Sequence, residues 1–368
     1  MIAPDKFKGS LAAVEVAAAI AAGLRGTGAE LVTVPVAVGG DGTVDAAVAA
    51  GFDRVPVTAA GPTGQPVATS YARRGDLALV ELATVCGLER LPGGELAPMD
   101  ASSFGVGEVM RAALAGGANE LVLAVGGSAS TDGGAGMLQA LGARVLNGRG
   151  EPIGRGGAAL PDVTGLDLTG LIPAVRSARV TLAADVANPL TGPDGAAAVF
   201  GPQKGANPGQ VTTLDQNLRR WAALVTDATR HDWSRAPGAG AAGGVGFAAL
   251  AVLGAQQRSG IDMILDLTGF DAALDGADLV VTGEGSLDTQ SLSGKAPVGV
   301  ARAAARRGIP VIAVAGRSLL TPEQAAEAGI SAVHVLADLE PDLARSMTGA
   351  AGLLERVARD QLAAWSRT

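Results

Sequence analysis

Four carboxylates of this 368-residue chain stand in glycine-rich turns that directly follow aliphatic segments. They are Asp41, Asp132, Asp185 and Glu284. Ligands of open α/β sheets bind beyond the carboxyl ends of the strands, where such turns lie. Glycine turns and helix N-termini offer amide groups to phosphates, and carboxylates offer hard oxygen ligands to Mg²⁺. The pattern therefore indicates phosphoryl-transfer chemistry, which depends on positioning and charge.

The alternative for each of these acids is structural, because Asp in a glycine turn commonly caps a helix or shapes the turn. For Asp41, and for Asp194 further along the chain, capping and function stay equally open. Asp185 favours function, since it ends an apolar segment and is followed by Asn188-Pro189.

Two lysine-bearing turns could supply positive charge to the same chemistry. The motif Asp5-Lys6-Phe7-Lys8-Gly9-Ser10 places Lys8 and Ser10 just before a predicted helix. The motif Ser293-Gly294-Lys295 precedes another predicted helix, with Pro297 in its first turn. A lysine is most often a solvated surface cation. Both of these stand in glycine turns at helix starts, so a surface role and a binding role stay open.

Histidine and cysteine are too scarce for several common catalytic arrangements. His231 lies in a polar run, His334 in an extended segment, and Cys86 in an apolar segment where a buried structural thiol is expected. Zinc sites, Ser-His-Asp triads and Cys-His catalysis are therefore poor fits to this sequence. The G-x-G-x-x-G match at residues 238–243 follows no strand, and about one chance match is expected at this glycine content.

The composition excludes other broad classes of protein. The formal net charge is −8 and 3% of residues are aromatic, so the chain lacks the basic surface and stacking platforms of a nucleic-acid binder. A single cysteine fits a reducing compartment. The first residues carry no apolar signal region, and the charge-free stretch 236–257 is rich in glycine and makes a poor membrane span. We predict a cytoplasmic protein without nucleic-acid or membrane partners.

The segments that must position the candidate groups repeat one plan. Each has an aliphatic strand, then a glycine turn with a carboxylate, then a helix or a further glycine-rich run. Strands of this kind are predicted at residues 31–38, 120–125, 180–185 and 278–282. Continuous apolar strands flanked by helices indicate a buried, largely parallel sheet, so the predicted fold class is α/β.

The order of the predicted elements indicates two domains. The first sixty residues hold too few strands for a stable sheet, and a regular alternation of strands and helices returns near the C-terminus. Three short segments between residues 55 and 81 predict a β-meander. We therefore predict a discontinuous α/β domain from residues 1–60 and 278–368. We predict that residues 61–277 form an inserted second domain of mixed α/β structure.

Five blocks, taken together, resemble the bacterial type I glycerate kinases. They follow that family's order and cover essentially the whole chain: Asp5-Lys6-Phe7-Lys8-Gly9-Ser10, Gly126-Gly127-Ser128-Ala129-Ser130-Thr131-Asp132-Gly133-Gly134, Asp185-Val186-Ala187-Asn188-Pro189-Leu190, Phe200-Gly201-Pro202-Gln203-Lys204-Gly205-Ala206, and Thr282-Gly283-Glu284-Gly285 with Asp288, Gln290, Gly294 and Lys295. The resemblance implies ATP-dependent phosphorylation of D-glycerate with Mg²⁺, usually to 2-phosphoglycerate. It also implies two domains, one of them discontinuous and flavodoxin-like or Rossmann-like.

On this resemblance we expect specific roles for the candidate residues. Asp185 activates the substrate hydroxyl, with Lys8 and Asp132 as further catalytic groups. Glu284 and Asp288 hold Mg²⁺. The residues expected to bind substrate or nucleotide are Asp5, Ser10, Gly126, Gly127, Ser128, Asn188, Thr282, Gly283 and Lys295.

Two turns depart from the family's pattern. Residues 37–43 read Ala-Val-Gly-Gly-Asp-Gly-Thr where the family usually has Ala-Asp-Gly-Gly-Glu-Gly-Thr, and Ser286 stands where the family commonly has arginine. The acid missing at Val38 and the cation missing at Ser286 leave open a kinase for another small hydroxy acid. A non-catalytic sensor of an organic acid or nucleotide is the more distant alternative. The short first strand at Ile2 leaves open a start upstream of Met1. Assembly as a homodimer also stays open.

Overall fold

A computed structural model describes residues 1–36, 40–289, 291–293 and 295–362. The strands are β1 (Ile2–Pro4), β2 (Asp53–Ala60), β3 (Pro66–Arg74), β4 (Leu77–Glu81), β5 (Glu120–Ala124), β6 (Arg144–Asn147), β7 (Val163–Asp167), β8 (Arg179–Ala183), β9 (Gln256–Arg258), β10 (Val280–Leu287), β11 (Val311–Ser318) and β12 (Ala332–Val335). The α-helices are α1 (Ala13–Leu24), α2 (Thr43–Ala49), α3 (Ala83–Cys86), α4 (Phe104–Ala115), α5 (Ala135–Ala140), α6 (Pro173–Ser177), α7 (Ala196–Phe200), α8 (Pro208–Thr229), α9 (Val245–Leu253), α10 (Gly260–Leu267), α11 (Phe270–Ala273), α12 (Ala296–Ala305), α13 (Pro322–Glu327), α14 (Leu343–Thr348) and α15 (Ala350–Asp360). This mixture of helices and strands confirms the predicted α/β class.

The chain divides into two compact units. Unit 1 consists of Met1–Val38, Asp45–Gly51 and Ser259–Thr368, and unit 2 consists of Gly39–Val44 and Phe52–Arg258. These limits differ from the predicted residues 60 and 277. The strand β2 belongs to unit 2 because it pairs along its length with β3, and α10 belongs to unit 1 because it packs on α12.

Unit 1 is built on a parallel sheet with the strand order β1-β10-β11-β12. The first five residues of β11 are apolar and buried, as a strand covered on both faces requires. A glycine in α1, Gly23, lies so close to α15 that an added Cβ would come within 2.2 Å of the Glu355 carbonyl oxygen. Helices from the two ends of the chain therefore pack in direct backbone contact. The core that joins these helices to the sheet includes Ile2, Ile20, Val281, Ile312 and Leu354.

The predicted strand at residues 31–38 is only partly formed within the described residues. Residues 31–36 lie beside β1, where Val32 and Val34 exchange backbone hydrogen bonds with Ile2, and Thr33 forms an isolated parallel bridge. Pro35 has no N–H to donate, which limits the ladder at this edge of the sheet. The remaining predicted positions, 37 and 38, lie outside the described residues.

Unit 2 carries a mixed six-stranded sheet with the order β2-β3-β4-β5-β8-β9. The antiparallel strands β2, β3 and β4 correspond to the predicted meander, whereas β4, β5, β8 and β9 are parallel. One rung crosses the parallel part, from Glu81 through Ala124 and Ala183 to Arg258. The turns that follow these strands consequently lie along one edge of the sheet.

Within the described residues, none of the helices combines the length and the apolar character needed to cross a bilayer. The longest of them, α8, has a strongly mixed composition and is capped at its start by Asn207, whose side chain accepts a hydrogen bond from the Gln210 N–H.

Candidate active site

Two predicted acids lie side by side at the carboxyl end of the unit 1 sheet. Asp5 follows β1 immediately, and its N–H donates to the Gly283 carbonyl oxygen at 2.8 Å. Since Pro4 lies opposite Gly283 in the parallel ladder, the next residue of β10, Glu284, is the neighbour of Asp5 across the strands. The topology thus brings together two carboxylates that are 279 positions apart in the chain.

These two carboxylates are hard to ionise together. Burial is the main cause that raises the pKa of Asp5 to about 7, and the negative charge of Glu284 adds to it. The N–H of Lys6, 2.7 Å from Asp5 Oδ1, and the charges of Lys6 and Lys295 oppose this rise. Burial also raises the pKa of Glu284, which is 7% exposed. A cation placed between the two acids would favour their ionised forms.

A serine that the sequence analysis missed connects the two predicted metal ligands. The buried hydroxyl of Ser291 donates to Glu284 Oε1 and accepts from the Asp288 N–H at 3.1 Å, while the Ser291 N–H lies 3.3 Å from Asp288 Oδ1. Lys295, at the N-cap of α12, acts on Glu284 through its positive charge. The spacing Asp288-x-x-Ser291 is typical of a hydrogen-bonded turn and was the available signal.

The lysine turn after β1 approaches the same strand. Lys8 is exposed, and a Cβ added to Gly285 of β10 would lie 3.3 Å from the Lys8 backbone nitrogen. The Ser10 hydroxyl donates to the Met347 carbonyl oxygen at 2.6 Å, which ties this turn to α14. Glycine at position 285 therefore permits the close approach, while the hydroxyl of Ser10 is engaged in holding the turn.

Two predicted ligand-binding residues of β10 are used in sheet packing. The buried Thr282 hydroxyl donates to the Ala3 carbonyl oxygen at 2.9 Å. A Cβ added to Gly283 would lie 2.1 Å from the Val314 carbonyl oxygen of β11. Both residues hold the strands that carry Asp5 and Glu284, and direct contact of either with a ligand stays a prediction.

In unit 2, the loop 126–131 follows β5 at the shared strand edge. Gly127 has a φ of +71°, and a Cβ there would lie 2.8 Å from Asp41 Oδ1 and 3.3 Å from the Ala83 side chain. Gly127 also accepts the Leu88 N–H at 3.0 Å. Glycine is thus required by the backbone conformation and by the space, and the loop keeps main-chain amides at the strand ends.

Glu81, the last residue of β4, is a second side chain that the sequence analysis missed. It is 2% exposed, and its carboxylate accepts the Gly42 N–H at 3.0 Å and the Val44 N–H at 2.8 Å. Glu81 therefore fixes the turn that carries Asp41. The signal was a lone acid at the end of an apolar strand, which is the same signal that selected Asp185.

Asp132 is buried beneath the glycine turn and is saturated with hydrogen-bond donors. Its carboxylate accepts from the N–H and hydroxyl of Ser103 at 2.8 and 2.9 Å and from the Ser102 hydroxyl at 3.2 Å. The N–H groups of Gly134 and Gly136 complete the set at 3.1 and 3.3 Å. With 1% of its surface exposed, Asp132 ties the loop to the starts of α4 and α5.

A buried lysine, which the sequence analysis quoted in a motif but did not place in the site, supports the same loop. Lys204 is 1% exposed, and its ammonium donates to Ser128 Oγ at 2.9 Å and to the Ser130 carbonyl oxygen at 2.5 Å. Burial lowers the pKa of Lys204 to about 8, and the negative charge of Asp132 acts in the opposite direction.

The Cys86 thiol is buried, as expected of a structural cysteine. It donates to the Ser102 carbonyl oxygen at 2.9 Å, and burial is the main cause that raises its pKa to about 12. A thiol with this pKa is almost entirely un-ionised near neutrality, so it is a poor nucleophile.

The loop after β8 carries Asp185 and Asn188, both partly buried. The Asn188 side-chain amide donates to the Asp194 carbonyl oxygen at 2.9 Å. The backbone carbonyl oxygen of Asn188 accepts the N–H of Gly240 at 2.9 Å. A Cβ added to Gly240 would lie 2.3 Å from the Pro189 carbonyl oxygen. The glycine cluster around residue 240 thus packs under this loop, which agrees with its dismissal as a dinucleotide fingerprint.

A cavity of about 920 Å³ lies within unit 2 beside this loop. Arg219 and Arg235 are among its lining residues, together with Asp194. The Arg219 guanidinium is held by Asp215 at 2.9 Å, and the other oxygen of Asp215 accepts the Gly192 N–H at 2.7 Å. The wall of the cavity is therefore fixed by an ion pair that is anchored on the backbone.

Each unit therefore gathers its own part of the predicted set at the carboxyl ends of parallel strands. Residues 1–366 match the glycerate kinase family. The chain belongs to that family. It is accordingly a kinase, which confirms the family resemblance and the expectation of an enzyme.

Relatives with similar sequences span nearly the whole chain. A glycerate kinase of Bacillus subtilis (strain 168) is 42% identical over 365 residues, which cover 98% of this chain and 96% of that protein. A glycerate 2-kinase of Escherichia coli (strain K12) is 44% identical over 322 residues, or 86% of this chain and 84% of the relative. The crystal structure of a glycerate kinase 2 candidate from Salmonella typhimurium LT2 matches with a TM-score of 0.85 at 41% identity, covering 100% of this chain and 97% of that one.

The departures from the family pattern fall partly within the described residues. Ser286 lies opposite Arg317 in the ladder between β10 and β11, and the Arg317 Nε–H donates to Ser286 Oγ at 3.0 Å. A guanidinium therefore stands beside position 286, supplied by the neighbouring strand. The departure at Val38 and the motif residues Gln290 and Gly294 lie outside the described residues.

Proposed function

We propose that this glycerate kinase family member transfers the γ-phosphoryl group of ATP to D-glycerate, with the 2-hydroxyl as the favoured acceptor. The observation that carries the proposal is the placement of the acids Asp5 and Glu284 at one strand edge of unit 1. The names of the Bacillus and Escherichia relatives support the substrate, and the Escherichia name supports the 2-hydroxyl. Arg317 beside Ser286 favours glycerate over other hydroxy acids, since the cation missing from the motif is present nearby.

In the reaction, a glycerate oxygen forms a bond to the γ-phosphorus while the bond from that phosphorus to the β,γ-bridging oxygen breaks and ADP leaves. The hydroxyl proton passes to the carboxylate of Asp185. Lys8 and Lys295 neutralise charge that develops on the phosphoryl oxygens. Asn188 and the amides of loop 126–131 hold an anionic group of a substrate. Such a loose transition state gains most from positioning.

The metal proposal rests on donor chemistry. Glu284 and Asp288 supply carboxylate oxygens, and Mg²⁺ is commonly bound by one or two carboxylates together with phosphate oxygens and water. Among the described residues, no three His, Cys, Asp or Glu side chains are grouped as a metal site, so the phosphates must complete the coordination. Bound Mg²⁺ would supply positive charge to the phosphate groups. Ser291 holds both carboxylates in place for this role.

The remaining predicted residues receive narrower roles in the proposal. Asp132 positions loop 126–131, since five donors already occupy its carboxylate. Ser10, Thr282 and Gly283 shape the turn and strand that present Lys8 and Glu284. We further propose that the enzyme acts in the cytoplasm on small molecules, with no nucleic-acid or membrane partner. Assembly as a homodimer stays a prediction.

The test is a coupled assay of ADP release from ATP and Mg²⁺, with D-glycerate, L-glycerate, tartronate and lactate compared at equal concentration. We expect D-glycerate to give the highest kcat/KM, and ³¹P NMR of the product to show 2-phosphoglycerate. A higher kcat/KM with tartronate or lactate would establish a kinase for a different hydroxy acid. Thermal stabilisation by glycerate or ATP without ADP release would identify a sensor and overturn the proposal.

A further inference from the structure

Lysine is used sparingly in this protein, and one of its lysines is buried. Four of the 28 basic residues are lysines, and the other 24 are arginines. Lys6, Lys8 and Lys295 lie in the turns at the strand edge of unit 1. The fourth, Lys204, ends a short 3₁₀ turn (Pro202–Lys204) in unit 2 and is followed by Gly205 with a φ of +92°. A chain that uses arginine for nearly every exposed cation thus keeps an ammonium at an interior position.

The surroundings of Lys204 point to a task beyond packing. Its two hydrogen-bond acceptors, Ser128 Oγ and the Ser130 carbonyl oxygen, both belong to loop 126–131, more than seventy positions away in the chain. Ser128 is 7% exposed and Ser130 is fully buried, so the loop separates the ammonium from solvent. Burying a cation is costly unless its charge is used or compensated.

The charged and titratable groups that face Lys204 compensate it only in part. They are Cys86, from the loop-facing side of α3, and Asp132, from the turn before α5. Cys86 is an un-ionised thiol near neutrality because burial raises its pKa to about 12. The carboxylate of Asp132 is occupied by five other donors. Asp132 thus attracts Lys204 through its charge, while the hydrogen bonds of the Lys204 ammonium go to Ser128 and Ser130 of the loop.

We propose that Lys204 is the positioning residue of loop 126–131, fixing Ser128 and Ser130 and giving the loop the positive charge with which it binds an anionic substrate group. That group is a carboxylate or a phosphate, from glycerate or from ATP respectively. The inference rests on the proposed function, since it assigns a partner to the loop amides. Lys204 acts through the loop and does not touch the reacting atoms.

The protonation state of Lys204 makes this role measurable. Because the pKa is lowered to about 8, the loop loses its charge as the pH rises through that value. An anion bound on the loop favours the ammonium, so binding must raise the pKa of Lys204. By the same linkage, the KM of the anionic substrate must rise as the pH increases above about 8.

The first experiment is NMR of the full-length protein with ¹³C-labelled lysine, which gives four side-chain signals. The Lys204→Met variant identifies the Lys204 signal by its loss. We expect this signal to titrate near pH 8, and either D-glycerate or ATP, added separately, to raise its midpoint by about one pH unit or more. The ligand that does so is the one bound by the loop. A midpoint above 9.5, or one that neither ligand moves, would overturn the inference.

The second experiment compares the steady-state kinetics of the wild type, Lys204→Met and Ser128→Ala between pH 6.5 and 9.5. In Lys204→Met the KM of one substrate should rise about 10- to 100-fold at pH 7, as expected for lost charged hydrogen bonds, and lose its pH dependence above 8. Ser128→Ala keeps the charge and should keep the pH dependence. If Lys204→Met changes kcat alone, in proportion to its folded fraction, the role is structural and the inference is wrong.

These experiments separate the inference from the proposed function. If the wild type phosphorylates glycerate but the Lys204 signal ignores both ligands, the function stands and the positioning role fails. If the wild type does not act on glycerate but ATP raises the Lys204 midpoint, the substrate is wrong and the role of the loop stands. If Lys204→Met does not fold, the titration of the wild type decides, with the Lys204 signal identified as the one that remains in Lys6→Arg, Lys8→Arg and Lys295→Arg.

Discussion

The two units place carboxylates at the same structural position, the carboxyl ends of parallel strands, but surround them differently. In unit 2, Glu81 and Asp132 accept main-chain N–H groups and are part of the scaffold. In unit 1, Asp5 and Glu284 are neighbours across the strands, and burial raises the pKa of both; the charge of Glu284 adds to the rise at Asp5, and the charge of Asp288 adds to the rise at Glu284. A carboxylate that accepts several amide N–H groups holds a loop in place. Two neighbouring carboxylates with raised pKa values would instead be stabilised by a bound cation.

The comparison extends to the cations of the two edges. The edge of unit 2 is backed by the buried ammonium of Lys204, whereas the lysines at the edge of unit 1 act on the acids Asp5 and Glu284 through their charge. We propose that the edge of unit 1 holds the metal ion and that the edge of unit 2 binds an anionic group. Asp185 is the exception in unit 2, because it is a strand-end acid assigned to proton removal rather than to the scaffold.

The largest loss of activity is expected on substitution of Asp185, the strand-end acid of unit 2 that we assign to proton removal. Asp185→Asn keeps the shape but removes the proton acceptor, so kcat should fall about 10²- to 10⁴-fold with little change in the melting temperature. The exposed Asp53 provides a matched control, and Asp53→Asn should leave kcat unchanged. Near-normal turnover in both Asp185→Asn and Lys8→Ala would show that the assigned roles are wrong.

The next effect concerns stability and tests whether Asp132 belongs to the scaffold. Asp132→Ala leaves five buried donors without their acceptor and should destabilise unit 2 by about 3–5 kcal/mol. Urea unfolding followed by the fluorescence of the buried Trp221, whose indole N–H donates to the Gly133 carbonyl oxygen at 2.9 Å, reports on this loop.

The matched control for Asp132 is Asp76, an exposed acid whose carboxylate accepts the Asn119 amide at 3.3 Å. Asp76→Ala should change the unfolding free energy by less than about 0.5 kcal/mol. Equal destabilisation by the two variants would remove the distinction between scaffold and surface acids in unit 2.

Asp5 provides a smaller, pH-dependent test in unit 1. Its folded pKa of about 7 is above the unfolded value of 3.8, so the protonated form favours the fold and stability is lost as the pH rises from about 4 to 7. Asp5→Asn removes this loss and should be more stable than wild type by about 1–3 kcal/mol at pH 8, with no difference near pH 4.

Thermal unfolding of both proteins with a chelator present measures the Asp5 effect, since a bound cation would mask it. Asp53→Asn is again the control and should show no such pH dependence. A difference between Asp5→Asn and wild type that stays constant from pH 4 to pH 8 would contradict the raised pKa.

The smallest effect is expected at Arg317, an exposed cation beside Ser286. Arg317→Ala should raise a substrate KM about two- to fivefold, the range typical of an exposed charge. Arg306→Ala, which removes a surface cation 3.8 Å from Asp271, should leave KM unchanged. A rise in KM above tenfold would place Arg317 among the main anion-binding groups and weaken the proposal that the edge of unit 2 is the anion site.

Much of this arrangement is predictable from the sequence, because the end of a strand is marked by neighbouring residues in the chain. Aliphatic runs followed by turns located the edges that carry Asp132, Asp185 and Glu284, whereas Asp5 was selected by its lysine-bearing motif and the family resemblance. The incomplete sheet of the first sixty residues predicted that the two ends of the chain combine. The second unit begins at Phe52 instead of residue 61 and ends at Arg258 instead of residue 277. The first difference arises because β2 has the alternating pattern of a strand in either unit, and only its pairing with β3 assigns it.

Other parts of the site depend on contacts between distant residues. Nothing local distinguishes Lys204 from a surface lysine, since its burial results from the packing of loop 126–131 against the turn at 202–204. Thr282 and Gly283 illustrate the opposite case. Their motif suggested ligand contact, but their side-chain space and hydrogen bonds are used by the adjacent strands β1 and β11.

The insertion of unit 2 between β1 and β10 has a consequence for biosynthesis. A ribosome releases β1 and α1 before unit 2, whereas their partners β10, β11 and α15 emerge only after the whole of unit 2. Unit 2 can fold while the chain is still being synthesised. The apolar faces of β1 and α1 stay unpaired until more than two hundred further residues have been added. This order leaves the apolar surface of β1 and α1 exposed during translation. Exposed apolar surface is prone to aggregation and is the kind of surface that chaperones bind.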